Sequence, residues 1–116
     1  FGFKVYQALD KDAPTIASLT SVSSTRKLAG FYESAVKPSG TEIKYNLSND
    51  NGSSWLWFNG SSWTVGNGTY DQSNTAQEIT SNITLLPLGP GLFKFKAFLK
   101  TSGNNTPQLY AVVLAT

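Results

Sequence analysis

The acid-base repertoire of this chain is seven carboxylates, Asp10, Asp12, Glu33, Glu42, Asp50, Asp71 and Glu78, with no histidine and no cysteine to work beside them. Glycoside hydrolysis needs two carboxylates facing across a cleft, one with a raised pKa. Most of these sit in or near turn-rich segments, and 116 residues leave little length for a cleft. No Ser has a His to activate it, and no Gly-rich stretch has the pattern of a phosphate cradle. The expectation is a protein that is not an enzyme. Asp10 and Asp12, spaced i,i+2, and the run Asn49-Asp50-Asn51 carry oxygens of the kind Ca²⁺ takes. Neither has a full EF-hand loop with its terminal Glu, and Asp and Asn recur in turns because their side chains hydrogen-bond the backbone two residues on. No metal site and no other cofactor is expected.

The other chemistry-bearing residues are tryptophans. Asn-Gly-Ser-Ser-Trp occurs at 51–55 and again at 59–63, and a looser Asn67-Gly68-Thr69-Tyr70 follows at the same spacing. Asn-Gly favours a two-residue type I′ turn, which needs positive φ at both central positions. A two-residue loop at Asn59-Gly60 pairs Phe58 with Ser61, Trp57 with Ser62, Leu56 with Trp63 and Trp55 with Thr64. Leu56, Phe58, Trp63 and Val65 then share an apolar core face, while Trp55, Trp57, Ser62 and Thr64 share the other. Two Trp on the wet side of a hairpin make a patch that soluble proteins keep only for contact. Indole packs on the C–H faces of sugars, and Ser62, Thr64, Asn46 and Asn49 could hydrogen-bond a sugar rim. A neighbouring protein is the other contact, since Trp is enriched at interface hot spots. The alternative is that a loop such as Asn67 to Asn74 covers this face and both Trp are core.

Stepping outward along the chain, Phe3 to Leu9 alternates as a strand that starts almost at the N-terminus, and Asp10 to Pro14 breaks it. Strands are expected over Thr15 to Val22 and Lys27 to Ser34, ahead of the turn Lys37-Pro38-Ser39-Gly40. Glu42 to Ser48 is the cleanest alternation, with Ile43, Tyr45 and Leu47 on a buried face and Glu42, Lys44, Asn46 and Ser48 on a wet one. Ser53 to Phe58 and Ser61 to Val65 complete a three-stranded meander. Thr75 and Glu78 form a capping box before Ile79 and Ile83, predicting a short helix within Asn74 to Ile83. Leu92 to Lys100 sets Phe93, Phe95, Ala97 and Leu99 against Lys94, Lys96, Phe98 and Lys100, whose lysines are expected to face water. Gln108 to Ala115 is the last strand, after the turn-rich stretch Ser102 to Pro107.

About eight short strands with turn signals every eight to twelve residues predict an all-β fold: a two-sheet antiparallel β-sandwich of jelly-roll or Greek-key kind, with at most one short helix. The length fits one domain over residues 1–116. The chain begins at Phe1, which suggests a processed or excised product. Its outermost strands run nearly to its ends, so Phe1, Phe3, Val5 and Leu9 are candidates for strand exchange with a neighbour.

Nine basic against seven acidic residues give a net charge of +2, and the basic residues are scattered, so nucleic acid is not an expected partner. The longest apolar runs are too short for a membrane span. Only 14% of residues are charged, and the rest lean on Ser, Thr, Asn, Gly and aromatics, as in secreted β-rich modules. The expected place is extracellular, on a cell or virion surface. Asn46, Asn51, Asn59, Asn67, Asn82 and Asn104 each begin an Asn-x-Ser/Thr glycosylation sequon. Three of these are the Asn-Gly turns, where turn chemistry already explains the residues.

Tyr45 to Trp55, with Phe58 to Trp63 and Phe93 to Leu99, resembles a module that recurs in large secreted prokaryotic surface proteins and is similar to galactose-binding-like jelly rolls. The likeness covers the last two-thirds of the chain. It implies an extracellular, non-catalytic role. The function expected is a structural or adhesive module, a repeat or subunit of a surface fibre, filament or virion appendage that contacts copies of itself or neighbouring modules. The alternative is a carbohydrate-binding module that takes cell-surface glycans on the aromatic hairpin.

Overall fold

The alternating segments become eight strands in the computed structural model, which describes residues 2–3, 15–23, 27–89 and 92–115. These are β1 (Gly2–Phe3), β2 (Thr15–Ser23), β3 (Gly30–Val36), β4 (Glu42–Ser48), β5 (Leu56–Phe58), β6 (Trp63–Val65), β7 (Leu92–Lys100) and β8 (Gln108–Ala115). One α-helix, α1 (Ala76–Asn82), and two short 3₁₀ turns, Tyr70–Gln72 and Ile83–Leu85, lie between β6 and β7. The strands form two antiparallel sheets, β1-β8-β3 and β2-β7-β4-β5-β6, packed face to face as an all-β sandwich. No helix among the described residues is long and apolar enough to cross a membrane.

The core is the set of inward side chains from both sheets. Ile43, Tyr45 and Leu47 of β4 pair with Leu99, Ala97 and Phe95 of β7. From the facing sheet come Phe31, Leu109, Val112 and Leu114, all within the same buried cluster. Phe31, Tyr45 and Phe95 join the layers edge to face, with ring centroids 4.8 to 6.2 Å apart. Such pairs add to the stabilisation that area burial supplies. The Tyr45 hydroxyl crosses between the sheets and donates to Glu33 Oε2 at 2.5 Å.

The helix forms where its capping box lies. Thr75 Oγ1 accepts from Glu78 N, Glu78 Oε1 accepts from Thr75 N, and Ile79 and Ile83 point into the core at 0% and 2% exposure. Strand β3 starts three residues later than the pattern suggests and ends at Val36, because Lys37-Pro38 cannot continue it. Of the expected strand Phe3 to Leu9 only Phe3 is described; it and Gly2 pair with Val112 and Val113 of β8 in the same chain. Phe1, Val5, Leu9, Asp10 and Asp12 lie outside the described residues.

One element has no counterpart in the pattern. Strands β4 and β5 are joined by the single pair Leu47↔Leu56, and Asn74 fills the gap beside it. Its backbone exchanges two hydrogen bonds with Tyr45, at 2.7 and 2.9 Å. Its side-chain amide accepts from Phe58 N at 2.7 Å and donates to Phe58 O at 2.9 Å. A carboxamide has the donor and acceptor of a peptide unit, so one buried Asn serves as a strand one residue long.

Candidate functional site: the outer face of the aromatic hairpin

The hairpin turn differs from the two-residue loop expected. Asn59 N donates to Ser62 O at 3.1 Å, and Asn59 Oδ1 accepts from Ser61 N and Ser62 N at 2.9 and 3.0 Å. This Asx turn closes a loop of four residues, and the pairs are Phe58↔Trp63, Trp57↔Thr64 and Leu56↔Val65. Asn59 lacks the positive φ that type I′ requires; Asn51, at φ 62° before Gly52 at φ 89°, has it. The turn chemistry therefore holds at the first Asn-Gly and yields to the Asn59 side chain at the second.

The longer loop shifts the register by two residues, so side-chain parity survives. Trp63 stays on the inner side, stacked edge to face on Phe58 at 5.7 Å with its Nε1 donating to Asn82 O at 2.9 Å. Val65, expected in the core, is instead 62% exposed, because β6 ends its sheet and no described strand lies beyond it. Ser62 does not oppose Trp57; it belongs to the turn and is exposed. Thr64 takes the place opposite Trp57 and is half-buried.

The outer face is partly covered by residues 66–73, which leave Trp55 and Trp57 half-buried. Gly66 N donates to Trp55 O at 2.9 Å, and a Cβ at Gly66 would lie 2.8 Å from Trp57 Cδ1. Gln72 holds this segment down: its Oε1 accepts from Asn67 N at 2.7 Å and its carbonyl accepts from Asn46 Nδ2 at 2.6 Å. Asn46 is thus 1% exposed, which corrects its expected place on a wet face and removes it from both the contact set and the accessible sequons. Asn49 points away, its Nδ2 donating to Pro87 O at 3.0 Å. Of the other sequon residues, Asn51, Asn59, Asn67 and Asn104 are exposed, and Asn82 is half-buried with Nδ2 donating to Glu78 O at 2.8 Å.

Trp55 is half-buried against its own chain. The Lys96 ammonium stands 4.4 Å from its ring centroid and donates to Gly68 O at 3.1 Å. Lys96 is 9% exposed, and burial lowers its pKa from the ordinary lysine value. Phe98, two residues on, is 2% exposed beneath Tyr70, whose ring meets it edge to face at 6.2 Å. The ammonium groups of Lys44 and Lys100 lie 5.1 and 5.8 Å from the Tyr70 ring, and the Tyr70 hydroxyl donates to Glu42. The lysine row expected to face water is therefore partly roofed, with its cations against aromatic rings. Desolvation, then the hydrogen bond to Glu42 and its charge, raise the Tyr70 pKa.

Four of the five described carboxylates have structural tasks, and the fifth, Asp71, is exposed. Glu33 accepts from Tyr45 and pairs with Lys37, Glu42 accepts from Tyr70, and Glu78 caps α1. Asp50 accepts from Ser48 Oγ, Ser54 N and Ser54 Oγ at 2.6 to 2.9 Å. No group of three or more acidic, His or Cys side chains that could hold a metal occurs among the described residues.

A second exposed apolar surface lies on the other sheet. Tyr32 and Val36 of β3 are 52% and 50% exposed, and Tyr110 and Val113 of β8 are 39% and 42% exposed. Tyr32 and Val113 are direct cross-strand partners, and Ser34 and Gln108 also face outward, so the outward positions of β3 and β8 carry no charge among the described residues. A one-residue bulge, with Ser34 opposite Ala111 and Ala35 opposite Leu109, leaves Tyr110 unpaired on β8 and turned outward. Comparison with known proteins gives no match, whether to a family model, a curated protein or a solved structure.

Proposed function

We propose that this chain is a non-catalytic, extracellular structural or adhesive module of a cell-surface or virion-surface assembly, contacting copies of itself or neighbouring modules through the three-stranded sheet. The observation that carries this reading is the exposed apolar and aromatic group Tyr32, Val36, Tyr110 and Val113 on the outer side of β3 and β8. Apolar and aromatic side chains standing in water on adjacent strands favour burial against a partner. The glycan reading has less support, since Asn46 is buried and Lys96 occupies a face of Trp55. Sedimentation velocity over a concentration series tests the proposal. The wild type is expected to associate, and Tyr32→Lys with Val113→Lys to associate less, with an unchanged circular dichroism spectrum. A wild type that stays monomeric throughout would remove it; a double variant that associates as strongly would take the contact off this face and leave it to another part of the sheet.

A further inference from the structure

We propose that the free edge of β3 is the self-association contact. Two copies pair antiparallel along residues 33–37 about a two-fold axis at Ala35, joining their three-stranded sheets into one of six strands. This rests on the reading above and specifies which part of the sheet makes the contact.

Strand β3 ends its sheet, with β8 on one side and no described strand on the other. The start of that edge is already occupied. Thr80 Oγ1 accepts from Phe31 N at 3.1 Å and donates to Phe31 O at 2.5 Å, so both backbone groups of Phe31 turn away from β8. In an antiparallel ladder this direction repeats every second residue, which sends the N–H and C=O of Glu33 and Ala35 the same way. The bulge between Ser34 and Ala35 adds its extra residue to β8, so the alternation on β3 is unbroken. Among the described residues Thr80 bonds the backbone of Phe31 and none bonds the outward backbone groups of Glu33 or Ala35, so this part of the edge offers a row of donors and acceptors to an extended chain.

Charge selects the register and the partner. In a pairing centred on Ala35, each Ala35 faces its symmetry copy, Glu33 faces the partner's Lys37, and the reciprocal pair forms on the other side of the axis. Within one chain Lys37 already folds back to Glu33, with side chains 40% and 11% exposed. The dimer exchanges this ion pair between copies, twice. The strand alternation gives Pro38 a nitrogen directed toward β8, so its missing N–H is not needed on the new edge. Moving the axis by a full pairing step to Glu33 would set the two Glu33 carboxylates against each other, so Lys37 and Glu33 also disfavour other registers.

The space for the exchanged lysine exists. A groove of about 350 Å³ runs between β3 and α1, lined by Phe31, Tyr32, Glu33, Ala76, Gln77 and Thr80. Its lining is mainly apolar with one carboxylate at the rim, which suits a lysine stem with its ammonium at the end. Lys37 follows the parity of Glu33 and Ala35, toward the side of β3 on which α1 packs.

The test combines sedimentation velocity with cross-linking. The chain has no cysteine, so Ala35→Cys introduces a single thiol whose symmetry copy would lie about 5.5 Å away between Cα atoms, within disulfide reach. Expected results are rapid oxidation of Ala35→Cys to a dimer, loss of association in Ala35→Pro, and association weakened by about tenfold in Lys37→Glu, where like charges face each other twice. Proline at 35 removes only the edge-facing N–H, and Lys37 is a surface side chain. Should Ala35→Pro fail to fold, Lys37→Glu and Ala35→Cys decide. Association that survives Lys37→Glu unchanged without an Ala35→Cys dimer, yet disappears in Tyr32→Lys with Val113→Lys, overturns the edge contact and leaves the module reading standing. Absence of association in the wild type overturns both.

Discussion

Asn74→Ala removes the amide that stands in for a strand between β4 and β5 while leaving the Asn74 backbone bonds to Tyr45 in place. Two hydrogen bonds to Phe58, at 2.7 and 2.9 Å, are lost. Asn74 is 3% exposed, so water does not readily replace them. A net contribution of about 1 kcal/mol per bond, plus part of the penalty for leaving the Phe58 N–H and C=O unpaired, gives a loss of about 3 kcal/mol. For a domain of 116 residues that is a fall in Tm of about 12 °C. Urea unfolding followed by Trp fluorescence should show a lower midpoint with an unchanged slope, since the exposed surface on unfolding is nearly the same. Amide exchange at Phe58 should accelerate more than at Tyr45. Asn74→Asp is the sharper control: it keeps an acceptor for Phe58 N but sets a second oxygen against Phe58 O, so it should be no more stable than the Ala variant at neutral pH. A loss below about 1 kcal/mol in Asn74→Ala, with Phe58 exchange unchanged, would refute the idea that this side chain carries strand pairing.

Two further predictions concern pH. Burial, then the charge and hydrogen bond of Glu33, raise the Tyr45 pKa, and Tyr70 is raised as well. A raised folded value means the stabilisation is complete below the unfolded tyrosine pKa of about 10 and is lost above it, so urea midpoints should fall from about pH 9 to pH 11 and fall less steeply in Tyr45→Phe. A parallel decline in both proteins would remove the assignment to Tyr45. Asp50 behaves with the opposite sign: the Ser54 hydroxyl, then Ser48 and nearby backbone N–H groups, outweigh burial and hold its pKa below the usual Asp value. Its contribution is present above about pH 4 and is lost progressively as pH falls below that, so Asp50→Ala should cost more stability at neutral pH than at about pH 2. An equal cost at both pH values would show that carboxylate charge plays no part.

Much of the architecture was legible because it is written in short-range periodicity. Glu42 to Ser48, Leu92 to Lys100 and Gln108 to Ala115 alternate and are strands over those residues, and Thr75 with Glu78 marks the start of α1. Asn51-Gly52 makes a turn with positive φ at both residues. These features depend on steric limits and local hydrogen bonds, which a residue and its neighbours settle among themselves.

The candidate site was legible only in part. Parity placed Trp57 opposite the inner Trp63 side, and that held because the Asn59 Asx turn added two residues to the loop and not one. A period of two reports that a strand has two faces, but not which distant segment covers each. Residues 66–73 cross the outer face and bury Asn46, Lys96 and Phe98, all polar-side positions by pattern. Thr80 occupies the edge at Phe31 from 49 positions away, and Asn74 reaches Phe58 from 16.

Sequence alone determined that the chain would make strands, one capped helix and a sandwich, because backbone sterics and apolar alternation act within a few residues. Tertiary structure decided which faces stay wet, whose side chains replace missing strands and which edge remains open. Closing a longer loop costs little extra entropy, so the choice among distant covering segments falls to packing and hydrogen-bond satisfaction across the whole fold.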